Sequence, residues 1–277
     1  MELPGGILVE GRIQRGFRFK PVTGYLEMAL GESAEGAETH PSQVTAALCQ
    51  ALQTLGDDAA TVERVWGLSV GDRQFLMQRL SAHINDGQKW LTAECGACGD
   101  PFDVSFRYAE LPVKLAGPDY PETTFSAAVG PLRLRAPTGA DQEAVAAIAD
   151  EAAALRVLLT RLISSEDSDR PVDASQLTEA EIAAIEARIE AMAPEAATHL
   201  LARCPHCEAE NRVPVSPYGC LERPGGELYG EIHQLARGYH WSEHDILSLP
   251  RRRRRIYLRL IDRNRSMRSA ETLLETA

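Results

Sequence analysis

The chain has 277 residues, 44% of them hydrophobic, enough for one large or two small domains with a packed core. No run of about 18 apolar residues argues for a membrane span, and the start, Met1-Glu2-Leu3-Pro4, lacks the basic-then-apolar order of a secretory signal, so a cytoplasmic protein is expected. A net charge of −11 argues against general nucleic-acid binding, although the charge is uneven: Glu143 to Glu195 is acidic and alanine-rich, and Arg251 to Arg268 is strongly basic.

The first element in chain order is an alternating strand around Phe17 and Phe19. Thr23-Gly24 turns it into a helix, with Thr23 as N-cap and Glu27 in the first turn. A second helix carries Val44, Leu48 and Leu52 on one face. A third begins at Ser69-Val70-Gly71-Asp72, a capping box, and carries Phe75, Leu76 and Leu80. Trp90 to Ala93 then leads as a strand into Cys95-Gly96-Ala97-Cys98, and Phe102, Val104 and Phe106 alternate beyond it.

The same order recurs later. Leu132 and Leu134 alternate, Thr138-Gly139 starts a helix, and Leu155, Leu158, Leu159 and Leu162 share a face. Thr178-Glu179-Ala180-Glu181 is a second capping box. Leu200 to Ala202 leads into Cys204-Pro205-His206-Cys207, followed by Val213 and Val215. One constant shift lays Leu68-Ser69 on Leu177-Thr178, Leu76 on Ile185, Leu80 on Ile189 and both cysteines of the first pair on those of the second. The expected fold is therefore α+β but mainly helical: two duplicated helix-rich units, each ending in a knuckle hairpin, followed by a helical tail. The expected divisions are 1–110, an extended connector at 111–131, 132–223, and a basic tail at 224–277 set off by Pro224-Gly225-Gly226.

Two thiolates three positions apart on a tight turn can grip one tetrahedral ion, and two such pairs in register make four ligands: Cys95, Cys98, Cys204 and Cys207. Zinc is the expected metal and its role structural, because four sulfurs leave no open position. Redox dithiols, disulfides and metal-free buried thiols are the competing readings. His206 reads as an exposed turn residue, Cys49 as a small buried thiol, and Cys220 has no assigned role. A zinc-dependent enzyme would need an open metal position. A zinc-ribbon nucleic-acid module would need a basic face, where Glu94, Asp100, Asp103, Glu208 and Glu210 stand instead.

In the tail, Leu228, Ile232 and Leu235 form a helical stripe, Ser242 and Asp245 a capping box, and Ile256, Tyr257, Leu260 and Ile261 the apolar side of a last helix from Arg251 to about Arg265. This tail is expected to dock a partner, with Tyr239, His240, Trp241 and Tyr257 supplying aromatic contact and Arg251, Arg252 and Arg255 meeting an acidic surface. The alternative is that the tail folds back and completes the core.

Taken in order, Phe19-Lys20-Pro21-Val22-Thr23-Gly24-Tyr25-Leu26-Glu27, Ser69-Val70-Gly71-Asp72-Arg73, the two knuckles, Tyr239-His240-Trp241-Ser242-Glu243 and Leu249-Pro250-Arg251-Arg252 resemble the T4-type phage baseplate proteins of tailed phages and related contractile injection particles. The resemblance covers about Gly16 to Asp262. It implies a non-enzymatic baseplate or hub component, or a factor that helps the hub assemble. It further implies hub proteins as partners, and a location in the cytoplasm during assembly or in the particle.

Overall fold

The computed structural model describes residues 1–168, 170–221 and 226–275. The chain opens with β1 (Glu2–Val9) and β2 (Arg12–Phe19), followed by α1 (Gly24–Gly36), α2 (His40–Ala51), β3 (Leu52–Leu55), β4 (Asp58–Ala59), α3 (Val62–Gly67) and α4 (Val70–Ile84). The first knuckle lies between β5 (Lys89–Glu94) and β6 (Pro101–Phe106). Next come β7 (Val113–Lys114), β8 (Glu122–Ala127), β9 (Gly130–Arg135), α5 (Gly139–Val145), α6 (Glu151–Leu162), β10 (Ile163–Ser165), α7 (Glu179–Met192) and β11 (Glu195–Ala196). The second knuckle joins β12 (His199–Arg203) to β13 (Glu210–Pro214), and α8 (Gly226–Tyr239), α9 (Glu243–Ser248) and α10 (Arg251–Glu275) end the chain.

This corrects the expected fold class. The described residues form a mixed α+β fold in which ten helices are interleaved with five small antiparallel sheets, and it does not divide into two duplicated, mainly helical units. The strand order β1-β2-β3-β4 of the first sheet is not repeated in the second, which runs β10-β9-β8 and takes β8 from the stretch expected to be only a connector. The sequence hid these strands for a physical reason. Strands such as β4, β7 and β11 have two residues each, too few to show alternation, and β7 and β11 are each defined by the other, far away in the chain. Leu52, expected on the α2 face, starts β3.

Two apolar cores result. Phe17, Phe19, Leu26, Leu48, Leu76 and Leu80 fill the first, and Leu132, Leu134, Leu159, Leu162, Ile185 and Ile189 the second. Leu155, expected on the apolar face of α6, is 39% exposed. Helix α4 lies where these parts meet. A Cβ on its Gly71 would stand 2.0 Å from the Pro194 carbonyl oxygen, so only glycine lets the segment ahead of β11 approach.

The N-caps of α4 and α5 face each other, with an antiparallel bridge between Ser69 and Thr138. The Val70 N–H donates to Pro137 O at 2.9 Å and the Gly139 N–H to Leu68 O at 3.1 Å. Each helix then carries a buried aspartate three positions after its cap. Asp141 completes a capping box with Thr138. Asp72 accepts from its cap's hydroxyl at 2.7 Å, but its other hydrogen bonds come from the Tyr120 hydroxyl (3.3 Å) and from the N–H groups of Gly5 (2.8 Å) and Gly6 (3.1 Å), and the last two strap β1 onto α4.

These two carboxylates respond oppositely to pH. Burial pushes Asp72 above the usual carboxylate range despite its hydrogen bonds from Gly5, Ser69, Gly6 and Tyr120. Burial works in the same direction at Asp141, but Arg135 grips both its oxygens at 2.6 and 2.8 Å, and with the Thr138 N–H brings it down to about 2. A carboxylate depressed on folding stabilises above its unfolded pKa, and that stability is lost as pH falls through its folded value. Asp141 should therefore contribute about 2 kcal/mol near neutrality, lost between about pH 4 and pH 2. Asp72, raised on folding, works the other way: its contribution is present in acid and lost as pH rises through its folded pKa. Denaturant midpoints measured from pH 7 to pH 2 should show a shallower acid loss in Asp141→Asn than in the wild type. Parallel curves would remove Asp141 from this role.

Candidate metal centre

The alternation of each knuckle hairpin puts one set of side chains inward. Leu91 pairs with Val104 and Ala93 with Phe102 across β5 and β6, and Leu200 with Val213 across β12 and β13. Those inward residues form a small core of Phe102 and Val213 with Cys95 and Cys204, flanked by Leu91, Ala93, Val104 and Ala202. Burying the cysteines in this way needs the two hairpins against each other.

The two turns have the same backbone. The Cys95 N–H donates to Asp100 O at 3.0 Å and the Gly99 N–H to Cys95 O at 2.9 Å. At the second knuckle the Cys204 N–H donates to Ala209 O and the Glu208 N–H to Cys204 O, both at 2.9 Å. The fifth residue of each turn is left-handed: Gly99 at φ 77° and Glu208 at φ 61°. Glycine takes that conformation without strain, whereas Glu208 is held there by the turn.

The four sulfurs lie within 4.8 Å of one another. Cys95 Sγ is 3.6 Å from Cys207 Sγ and Cys98 Sγ is 3.8 Å from Cys204 Sγ, so the buried sulfur of each knuckle meets the exposed sulfur of the other. All four are free thiols. A disulfide would bring two sulfurs to about 2 Å. Four sulfurs at about 2.3 Å from a central tetrahedral ion would lie about 3.8 Å apart, close to the 3.6 and 3.8 Å of the two crossed pairs.

Backbone N–H groups here favour the thiolate form that a metal ion needs. The N–H groups of Cys98 and Ala97 point to the Cys95 sulfur and bring its thiol down to about 6. The Asp100 N–H favours the Cys98 thiolate, yet burial and the neighbouring Cys207 and Cys95 sulfurs push that thiol up to about 12. At Cys207 the Ala209 N–H acts downward, and the net shift, with Cys95 opposing it, is upward. Cys98 and Cys207 therefore resist ionising beside the other sulfurs, and a divalent ion among the four removes that resistance. The residues fit a four-thiolate metal site, as their spacing led one to expect.

One supporting residue was not anticipated. Asn211, near the start of β13, donates to Cys95 Sγ at 3.5 Å and to Ala209 O at 2.9 Å, and accepts from the Gly96 N–H at 2.9 Å. It joins the two knuckles and orients a ligand sulfur. An asparagine just past a turn has an ordinary local explanation, so its role becomes visible only when the hairpins meet. His206 is exposed on the second knuckle. Cys49 and Cys220 are partly buried against the first core.

The tail residues divide into two groups. Tyr239 stacks on Trp241 at 4.8 Å, and Tyr257 meets both edge-on at 5.5 and 4.8 Å, so the three rings pack on one another beside Leu235, Ile246 and Ile261. His240 is exposed in the left-handed turn that ends α8. Arg251 is buried with its Nε 3.7 Å from Glu27, while Arg252 and Arg255 face solvent. The arginine that anchors the helix is Arg254, absent from the sequence-based set. It is fully buried, reaching Glu27 at 2.7 Å, Glu231 at 3.0 Å and the Leu249 carbonyl at 3.1 Å. The inward face of α10 is thus Arg251, Arg254, Tyr257, Leu258 and Ile261, and Ile256 and Leu260, expected on the apolar side, are 42% and 43% exposed. Pro224-Gly225, expected to mark the break before the tail, lies outside the described residues. Among the described residues no helix is long and apolar enough to cross a membrane.

Comparison with family models, with curated proteins and with solved structures finds no match for the chain.

Proposed function

We propose that Cys95, Cys98, Cys204 and Cys207 hold one zinc ion as a structural clamp, and that the chain is a non-enzymatic component or assembly factor of a phage-like contractile tail baseplate. The observation that carries the clamp is the near-tetrahedral spacing of four sulfurs from two hairpins, 3.6 and 3.8 Å between crossed pairs. Four thiolates complete zinc's preferred coordination and leave no position for a substrate or an activated water, which favours a structural role over a catalytic one. The ion's chemistry would be limited to holding two short hairpins together.

The baseplate reading rests on the ordered motifs. Of the segments that carry them, the first and the last, far apart in the chain, are neighbours in the fold. Tyr25 Oη lies 2.6 Å from His244 Nδ1, a Cβ on Gly24 would stand 2.8 Å from the Leu247 side chain, and Arg254 next to the Leu-Pro-Arg-Arg motif grips Glu27. They behave as one packed unit, which supports reading them together. Assembly would take place in the cytoplasm, with hub proteins as partners.

Quantitative mass spectrometry of particles purified from the producing cells tests this reading. Presence at fixed stoichiometry makes the chain a structural component. Absence from finished particles combined with co-purification with hub proteins from assembling cells makes it an assembly factor. Absence from both overturns the proposal.

A further inference from the structure

The outward face of α10 has no role in holding the fold. Arg252, Arg255 and Arg259 follow one another at i, i+3 and i+7 and are exposed, and among the described residues none of them pairs with a carboxylate. They line a groove of about 510 Å³ between α10 and the end of α4, with Ile84 and Leu258 as its apolar part. Asp86 and Asp262 also line it. A basic groove is unexpected on a chain of net charge −11, and arginines held in a row at the start of a helix oppose its dipole unless something acidic compensates.

We infer that this groove docks an acidic segment of a partner protein, in which carboxylates spaced over about 10 Å alternate with an apolar side chain. The three guanidinium groups present forked donors along one line, matched to carboxylates at helical spacing. Ile84 and Leu258 give an apolar side chain somewhere to go, and Asp86 can accept N–H groups from a peptide. The groove offers aliphatic side chains and, among its lining residues, no aromatic face on which bases could stack, and so it suits an acidic peptide better than a nucleic acid. The inference names a partner's chemistry without resting on the baseplate reading, and particle composition cannot decide it either way.

The test uses the full chain and a labelled helical peptide of about three turns, with Glu at i, i+3 and i+7 and Leu between them. Fluorescence anisotropy should show binding that weakens at least about tenfold in R252E/R255E/R259E, in the milder R252Q/R255Q/R259Q, and when Gln replaces Glu in the peptide. Binding should also weaken as salt rises. Arg253, exposed and turned away from this row, should be replaceable by Glu with no such loss. Melting of the variants should stay near that of the wild type, since among the described residues the three arginines make no ion pair. Undiminished binding by both triple variants, equal binding of the Gln peptide, or no binding at all would overturn the inference. So would an oligothymidylate of about twenty nucleotides that displaces the Glu peptide, which would mark a nucleic-acid surface instead.

Discussion

Native mass spectrometry of the purified chain is expected to show one zinc ion per molecule, and Cys95→Ser or Cys204→Ser is expected to abolish it. Those two sulfurs are 2% and 1% exposed, so serine there removes a soft ligand and leaves a hydroxyl in an apolar pocket beside Phe102 and Val213. Cys98→Ser and Cys207→Ser, on the solvent side, should weaken the metal less because water can take the missing position. Apparent zinc affinities in four-ligand sites are worth about 10–16 kcal/mol where folding depends wholly on the metal. Here the two main cores contain no ligand cysteine, so metal loss should be local. The hairpins share two small apolar clusters, one around Phe102 and Val213 and one around Phe106 and Val215, and hydrogen exchange across β5, β6, β12 and β13 should rise on chelation, most of all near the knuckles, while α4 remains protected. Two zinc ions per chain would defeat the shared site, and none would remove zinc altogether.

The second large effect is expected at Arg254. Its guanidinium is 0% exposed and satisfies Glu27 on α1 and Glu231 on α8, whose side chains are only 14% and 18% exposed. Arg254→Met leaves two carboxylates nearly buried with one cation fewer, which costs about 3–5 kcal/mol when a buried pair is broken from one side. Arg251 offers Glu27 some compensation at 3.7 Å and none of comparable reach to Glu231. The expected result is a lower melting temperature and proteolytic release of α8–α10, with zinc content unchanged because the knuckles lie elsewhere. Combining Arg254→Met with Glu27→Gln and Glu231→Gln should recover part of the loss, since it removes the uncompensated charges. A melt indistinguishable from wild type in Arg254→Met would show that the tail is held by its apolar contacts alone. The same geometry bears on the tail: Trp241 and Tyr257 pack on Tyr239 and on each other, while Arg252, Arg255 and Arg259 face solvent.

By itself, the sequence determined the local events. Thr23, Ser69, Thr138, Thr178 and Ser242 stand at helix N-caps, because capping is decided by a residue and the three that follow it. The two knuckles and their flanking strands were legible for the same reason: a CxxC between alternating segments is a short-range pattern, and its thiols have few other uses. Tertiary structure decided everything that depends on which distant segments meet. It paired β7 with β11 and β9 with β10, converting the expected mainly helical, duplicated plan into a mixed α+β fold. It diverted Asp72 from completing its capping box to holding Gly5 and Gly6. It chose Asn211 to join the knuckles and, from a run of five arginines, selected Arg251 and Arg254 for the interior. In such a run every turn position is basic, so the sequence carries no phase; the phase comes from Glu27 and Glu231, which lie on α1 and α8 and reach the helix only after the chain has folded.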